Sequence, residues 1–215
     1  MKILITAGPT REPIDAVRFI SNRSSGKMGL WLASAAIAEG HQVMLLLGPC
    51  PVQAEAAKLT GLTLRSFETA TQLQQLLETH FADHDVLIMA AAVADYRPAQ
   101  AAAGKLSSDK ERGMMLALEA TPDLVASMAS RKRPGQRVVA FALEEAGQLE
   151  ERAVAKLRRK GVDAIVANPL GTMEGDAIRP VLLWADGRRE VPVGSPGGAM
   201  SKVEFARWLI QRVGG

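Results

Sequence analysis

Cysteine is nearly absent: Cys50 is the one thiol in 215 residues. A lone thiol excludes an intrachain disulfide and suits a reducing compartment. Aromatic residues make up 4%, with a single tyrosine. That scarcity removes the stacked platforms on which single-strand nucleic-acid binders hold bases. No apolar run approaches the roughly 18 residues that a membrane-spanning helix needs. The first residues pass straight into a strand pattern, without the charged and apolar regions of a cleavable signal. Neither charge sign dominates, since 26 Lys and Arg face 23 Asp and Glu for a net charge of +3. These absences lead to the expectation of a cytoplasmic protein with no nucleic-acid and no membrane partner. A pI near 9.2 is compatible with an anionic small molecule but does not select one.

What is present is ordinary globular material, 47% hydrophobic and 23% charged, enough for one large α/β domain over residues 1–215. Apolar runs alternate with helical patterns. Strands are expected at 2–8, 41–48, 62–68, 85–93, 137–144 and 163–169, and helices at 28–39, 52–58, 70–81, 122–131, 146–160 and 199–213. The strands are apolar almost throughout, as in a parallel sheet covered on both faces. The pattern predicts a Rossmann-like, doubly wound, mostly parallel sheet with helices on both faces. Asp186-Gly187 between two short strand patterns marks a C-terminal β-hairpin at about 179–193. Segments 94–120 and 170–178 are rich in small or polar residues and read as loops, with a flap at about 97–118.

The segment between the first strand and first helix, GPTREPIDAVRFISNRSSGKMG (8–29), is the least ordinary part of the chain. Loops beyond about 12–15 residues in compact domains are uncommon and tend to be functional. A dinucleotide fingerprint would need clustered glycines at that turn, yet Pro9 follows Gly8 and the next glycines are Gly26 and Gly29. The short-chain dehydrogenase pair of Tyr and Lys four apart also fails, with Gln100 after Tyr96. A phosphate-binding P-loop at Gly26-Lys27 fails too, because Ser21 and Met28 stand where Gly and Ser or Thr are required.

Several residues carry chemistry in place of these motifs. Asn22, Ser24, Ser25 and Gly26 precede a helix, where they suit both N-capping and the holding of an anion. Arg11, Arg18 and Arg23 share the loop with them, which favours an anionic ligand. Asp95 follows a strand end, where one carboxylate can hold Mg²⁺ against phosphate oxygens. Lys105 lies in the Gly-Ala-rich flap and could close over a triphosphate. Arg152, Lys156 and Lys160 recur at helical spacing on one face. Thr121-Pro122-Asp123 marks a helix start. His80 and His84 are four apart but lack the glutamate of a zinc-protease motif, so no zinc site is expected. Cys50 has no histidine partner nearby and reads as inert.

The long first loop, AAAVADYRP (90–98) with Lys105, VVAFALE (138–144) and KLRRKGVDAIVAN (156–168) together resemble bacterial phosphopantothenate–cysteine ligase (phosphopantothenoylcysteine synthetase). The matches run in order from residue 3 to about 168, and the chain has no room for the flavin-dependent decarboxylase domain often fused to that ligase. The resemblance implies CTP as co-substrate, Mg²⁺, and a route through an acyl-cytidylate of 4′-phosphopantothenate that cysteine then displaces. It implies nucleotide-binding roles for Met89, Ala90, Ala91, Asp95, Lys105, Pro122, Phe141, Lys156 and Lys160, with Asp95 also at the metal. It implies catalytic roles for Asn22, Arg18 and Lys105, with Asn22 orienting the acyl carbonyl or stabilising the oxyanion, and substrate binding at Asn22, Ser24, Ser25 and Gly26. A homodimer is expected on the same basis. The chain departs from the family at the flap, where a K-x-K-K run is common and this chain keeps only Lys105, with Ser107 and Ser108 in place of lysines; Lys110 could compensate. A non-catalytic nucleotide- or flavin-binding module, partnering a separate decarboxylase, is the alternative.

Overall fold

β1 (Lys2–Ala7) is buried at every residue after Lys2, as a strand must be when helices cover both faces of its sheet. The structure, a computed structural model, describes residues 1–107, 113–172, 177–192 and 199–214. The chain continues through β2 (Arg11–Pro13), β3 (Phe19–Ser21), α1 (Lys27–Ala38), β4 (Gln42–Leu47), α2 (Gln53–Ala57), β5 (Leu62–Ser66), α3 (Ala70–His80) and β6 (Val86–Met89). Next come β7 (Tyr96–Pro98), β8 (Leu118–Ala120), α4 (Leu124–Ser130), β9 (Arg137–Glu144), α5 (Leu149–Lys160) and β10 (Ala164–Pro169). The last elements are β11 (Ala177–Ile178), β12 (Val181–Trp184), β13 (Arg189–Glu190), β14 (Met200–Ser201) and α6 (Lys202–Val213).

Eight of these strands form one sheet in the order β13-β12-β10-β9-β6-β1-β4-β5. Pairing is parallel from β5 to β10, and β12 and β13 add an antiparallel edge. The expected doubly wound fold and its C-terminal hairpin are therefore present, while Val193 lies outside the described residues. One apolar cluster joins α1 and α6 to Ile3, Ile5, Val43, Val139 and Val166 on one face. The other joins α3, α4 and α5 to Leu4, Leu46, Leu87, Val138 and Ile165. The alternate parity of these positions is the period-two rule of a strand buried on both sides.

The structure corrects two expected loops and one expected helix. Segment 94–120 is not wholly irregular, because β7 and β8 pair as an antiparallel ribbon at the base of the flap. The first loop contains a second ribbon, β2 with β3. Both pairings are three residues long, too short for alternation to reveal them. Met200 and Ser201 pair with β11 instead of opening the last helix. Helix starts shift for local reasons. Asp123 caps α4 by accepting from Ala126 N–H, while Thr121 Oγ1 donates to the Ala94 carbonyl. Ser201 and Glu204 form a reciprocal capping box on α6, an arrangement in which the cap residue is worth about 1 kcal/mol.

Candidate functional site

The chain runs outward from β1 through β4 to β5, then returns to β6 on the other side of β1 and proceeds outward again. That reversal is a topological switch point, and ligands in open α/β sheets bind just beyond it. The two strand extensions that leave the switch point are stitched together. Ala92 N–H donates to the Gly8 carbonyl at 2.9 Å and Thr10 N–H to the Ala92 carbonyl at 3.2 Å. The buried hydroxyls of Thr6 and Thr10 accept from Ala91 N–H and Ala94 N–H. Above this seam opens a cavity of about 950 Å³.

Asn22, Ser24, Ser25, Gly26, Ala90, Ala91, Asp95 and Phe141 all line that cavity. With Arg23, which lines it too, the structure thus brings together nine of the residues singled out in the sequence. The Asn22 amide Nδ2 donates to the carbonyls of Ala92 (3.3 Å) and Val93 (3.0 Å). Both its N–H groups are spent on the seam, and Oδ1 accepts from no donor among the described residues. Gly26 is the residue that caps α1, at φ 73° and without a side-chain hydrogen bond. Neither serine therefore caps the helix, although Ser25 Oγ accepts from Lys27 N–H at 3.4 Å. The first N–H groups of α1 face the cavity side with the positive end of the helix dipole, an arrangement suited to an anion. A side chain on Gly26 would meet Cys50 Sγ at 2.5 Å. Burial pushes the Cys50 thiol up, only partly offset by Val52 N–H and Arg11. It stays a neutral packing partner.

Arg18 and Lys105 are not on the cavity wall. Arg18 Nε and the buried Asp15 carboxylate are 2.9 Å apart, and Arg18 also donates to the Leu106 carbonyl at 3.1 Å. Asp15 in turn accepts from Leu106 N–H at 3.1 Å, and Ala102 N–H donates to Ile14. The first loop therefore holds the flap one residue beyond Lys105, which is itself exposed. The Arg18 guanidinium, ahead of the backbone N–H donors, holds the Asp15 carboxyl well below the usual carboxylate range. A carboxylate depressed in the folded state stabilises above its unfolded value, near pH 3.9, and ceases to do so as pH falls through the folded one. Asp15→Asn should raise amide exchange at Leu106 about tenfold or more, by the usual worth of charged hydrogen bonds. In the wild type the protection should persist below pH 4. Unchanged exchange in the variant would show that the latch does not hold the flap.

Lys156, Lys160, Met89 and Pro122 also lie off the wall. Lys156 Nζ sits 2.5 Å from the buried Glu144 carboxylate, with Arg152 3.7 Å from its other oxygen. Lys160 Nζ binds Asp123 at 3.0 Å. Burial raises the Asp123 pKa, but Ala126 N–H and Lys160 outweigh it and leave the carboxyl below its ordinary value. The basic stripe is thus tied down at the carboxyl end of β9 and at the start of α4, on the sheet face opposite α1. Met89 is buried, its sulfur accepting from Thr6 Oγ1, and Pro122 is exposed beside this ion pair. Ser108 and Lys110 lie outside the described residues.

The sequence reading missed Asn168 and Lys202, which line the cavity beside Phe141, Leu143, Leu170 and Ile178. Asn168 is 5% exposed, and its Oδ1 has no hydrogen-bond partner among the described residues. An unsatisfied buried carbonyl costs about 1–3 kcal/mol, so this amide suits a ligand donor where no described residue supplies one. The signal was available, since Asn168 closes an apolar strand at the carboxyl edge where ligands bind. As for a metal, no group of three or more acidic, histidine or cysteine ligands occurs among the described residues. Asp95 supplies one exposed carboxylate on the wall, which fits an ion completed by substrate oxygens and water.

Residues 1–214 match the family described as the DNA/pantothenate metabolism flavoprotein C-terminal domain. The chain belongs to this family. A solved C-terminal domain of coenzyme A biosynthesis bifunctional protein CoaBC from the same fold superposes with a TM-score of 0.79 at 33% identity, covering 99% of this chain and 93% of that one. The whole CoaBC of Mycobacterium tuberculosis is 40% identical over 197 residues, covering 86% of this chain and 46% of the relative. A protein from an unknown prokaryotic organism, named cysteine/cysteine sulfinic acid decarboxylase, is 40% identical over 169 residues, covering 79% and 46%. The chain thus spans about half the length of the curated relatives it matches, in the manner of a family C-terminal domain. No helix among the described residues is long and apolar enough to cross a membrane.

Proposed function

We propose that this family member is one cytoplasmic ligase domain that joins 4′-phosphopantothenate to L-cysteine at the expense of CTP. The observation that carries the reading is the switch-point cavity. There an open helix N-terminus, a pinned asparagine and a lone carboxylate converge beside an aromatic ring and an unsatisfied buried amide. Membership of a family that includes the C-terminal domain of CoaBC supports it.

In the first step a carboxylate oxygen of phosphopantothenate attacks the α-phosphorus. The new P–O bond replaces the bond to pyrophosphate, which leaves with the electron pair. Repulsion between two anions opposes this encounter, and the backbone N–H groups of Ser24, Ser25 and Gly26, with the start of α1 just after them, counter it with fixed dipoles. Mg²⁺, held by Asp95 with substrate oxygens, would supply further charge neutralisation. Phe141 and Asn168 border the base, with Met89, Ala90 and Ala91 beneath it. Lys105 closes from the flap, while Pro122, Lys156 and Lys160 flank the nucleotide from the α4–α5 side.

In the second step the cysteine amine attacks the acyl carbon. The C–N bond forms, the acyl C–O bond breaks, CMP departs with its electron pair, and the amine proton passes to solvent. The Asn22 N–H groups are committed to Ala92 and Val93, so its Oδ1 is the atom available to receive the amine N–H. Arg18 positions this loop through Asp15. Closure over the mixed anhydride keeps water from competing with the amine.

A homodimer through the two ribbons fits the surface. Val17, Phe19, Tyr96 and Leu118 are exposed there, and β2 adjoins β7. The decisive measurement is product analysis with purified protein. CTP plus 4′-phosphopantothenate and Mg²⁺ should release pyrophosphate, and added cysteine should release CMP, with ATP supporting slower turnover. CTP binding without pyrophosphate release would instead identify a nucleotide-binding module.

A further inference from the structure

A second cavity of about 590 Å³ lies against the first and shares Asn22, Arg23, Ser24 and Pro51 with it. The wall they share is the loop that the ligase reading places at the acyl carbon. On its far side stands Arg11, which lines only the second cavity. Arg11 is fixed in β2, opposite Ser21, and its backbone N–H donates to Glu68 at 2.7 Å. Its guanidinium carbon lies 4.6 Å from the centre of the Phe19 ring. No carboxylate pairs with that guanidinium among the described residues, although its planar fork matches a carboxylate or a phosphate bidentately. The remaining wall is Pro9, Pro49, Cys50 and Gln53, whose amide Nε2 donates to Ser66 Oγ. Cys50 is kept protonated by burial, so it does not compete for the arginine.

We propose that this second cavity seats the amino-acid nucleophile, with its α-carboxylate on Arg11 and its amine directed at Asn22 Oδ1. The inference rests on the ligase reading, which requires an amine to reach the acyl group while nucleotide fills the first cavity. An approach from the opposite side of the Asn22 loop meets that requirement without displacing CMP beforehand. It also gives the enzyme a means of selecting an amino acid over a simple amine. The acyl group is blind to that difference, whereas a stacked arginine is not.

Cysteine and cysteamine carry the same amine and thiol and differ by the carboxylate, so they form the probe pair. The wild type should favour cysteine in kcat/KM. In Arg11→Gln that preference should fall about tenfold or more, the scale of a lost charge-assisted pair. Pyrophosphate release in the first step and the KM for CTP should hold. Arg11→Lys, which keeps the charge but loses the fork, should fall between the two and serves if the glutamine variant does not fold. Equal losses for cysteine and cysteamine would overturn the proposal. A raised KM for CTP would do the same and assign Arg11 to the polyphosphate tail. Absence of pyrophosphate from the wild type would sink the ligase reading itself, a different failure from an unchanged cysteine preference.

Discussion

Asn22→Asp should still release pyrophosphate from CTP and 4′-phosphopantothenate, but CMP formation on adding cysteine should fall by a factor of at least ~10², the scale of losing one placed polar group at a reacting centre. The substitution changes few atoms and reverses the chemistry. Asn22 holds its position by giving two N–H bonds to the Ala92 and Val93 carbonyls. A carboxylate has no proton to give, and it would face those carbonyls with like partial charge. The side chain must then rotate away from the seam, taking Oδ1 with it. Rapid-quench analysis should show a burst of pyrophosphate followed by a stalled acyl-cytidylate. CMP release at the wild-type rate would remove Asn22 from the second step.

The second large effect is expected at Gly29, in the first turn of α1. A Cβ there would lie 2.1 Å from the Ala7 Cβ and 3.3 Å from the Ala7 Cα. Both atoms belong to β1, an interior strand paired on both sides, so the helix is the element that must move. Overpacking of this kind costs about 1–3 kcal/mol, and each kcal/mol lowers the melting temperature of a chain this size by about 2–4 °C. The start of α1 forms one wall of the cavity, so Gly29→Ala should also weaken nucleotide binding at temperatures where the variant is folded. Ala7→Gly in the same chain removes the obstructing methyl and should recover much of both losses, because contacting residues couple. An unaltered melting temperature in Gly29→Ala, or no recovery in the double variant, would contradict the close approach.

The main sheet was legible because its strands are apolar at nearly every position and lie between helical periods. VVAFALE and DAIVANP declare burial on both faces without any alternation. The edges were harder. Three-residue strands such as β7 and β8 obey their partners' register instead of a pattern of their own, and the start of α4 depended on whether Thr121 or Asp123 took the cap. At the site, Asn22, Ser24 and Asp95 were readable from strand ends and a helix start. The Asp15 contact with Leu106, across 91 positions, was not. The ties of Lys156 to Glu144 and Lys160 to Asp123 escaped for the same reason, since helical spacing shows which lysines share a face and not what the face meets. Asn168 lay within reach: a polar residue ending a buried strand already asks for a partner.

Because Asp15 and Arg18 grip Leu106 from the loop that also carries Asn22, the ligase reading predicts that the flap and this loop stiffen together. On that reading, a nucleotide that draws Lys105 inward should stiffen Asn22 with it, so that whatever binds next meets a loop whose freedom is already restricted. Coupling of this kind needs no change of shape, only a shared loss of entropy, and it acts equally in both directions. The first substrate to bind should then tighten the grip on the second, and kinetics should show synergy between ligands whose sites do not touch.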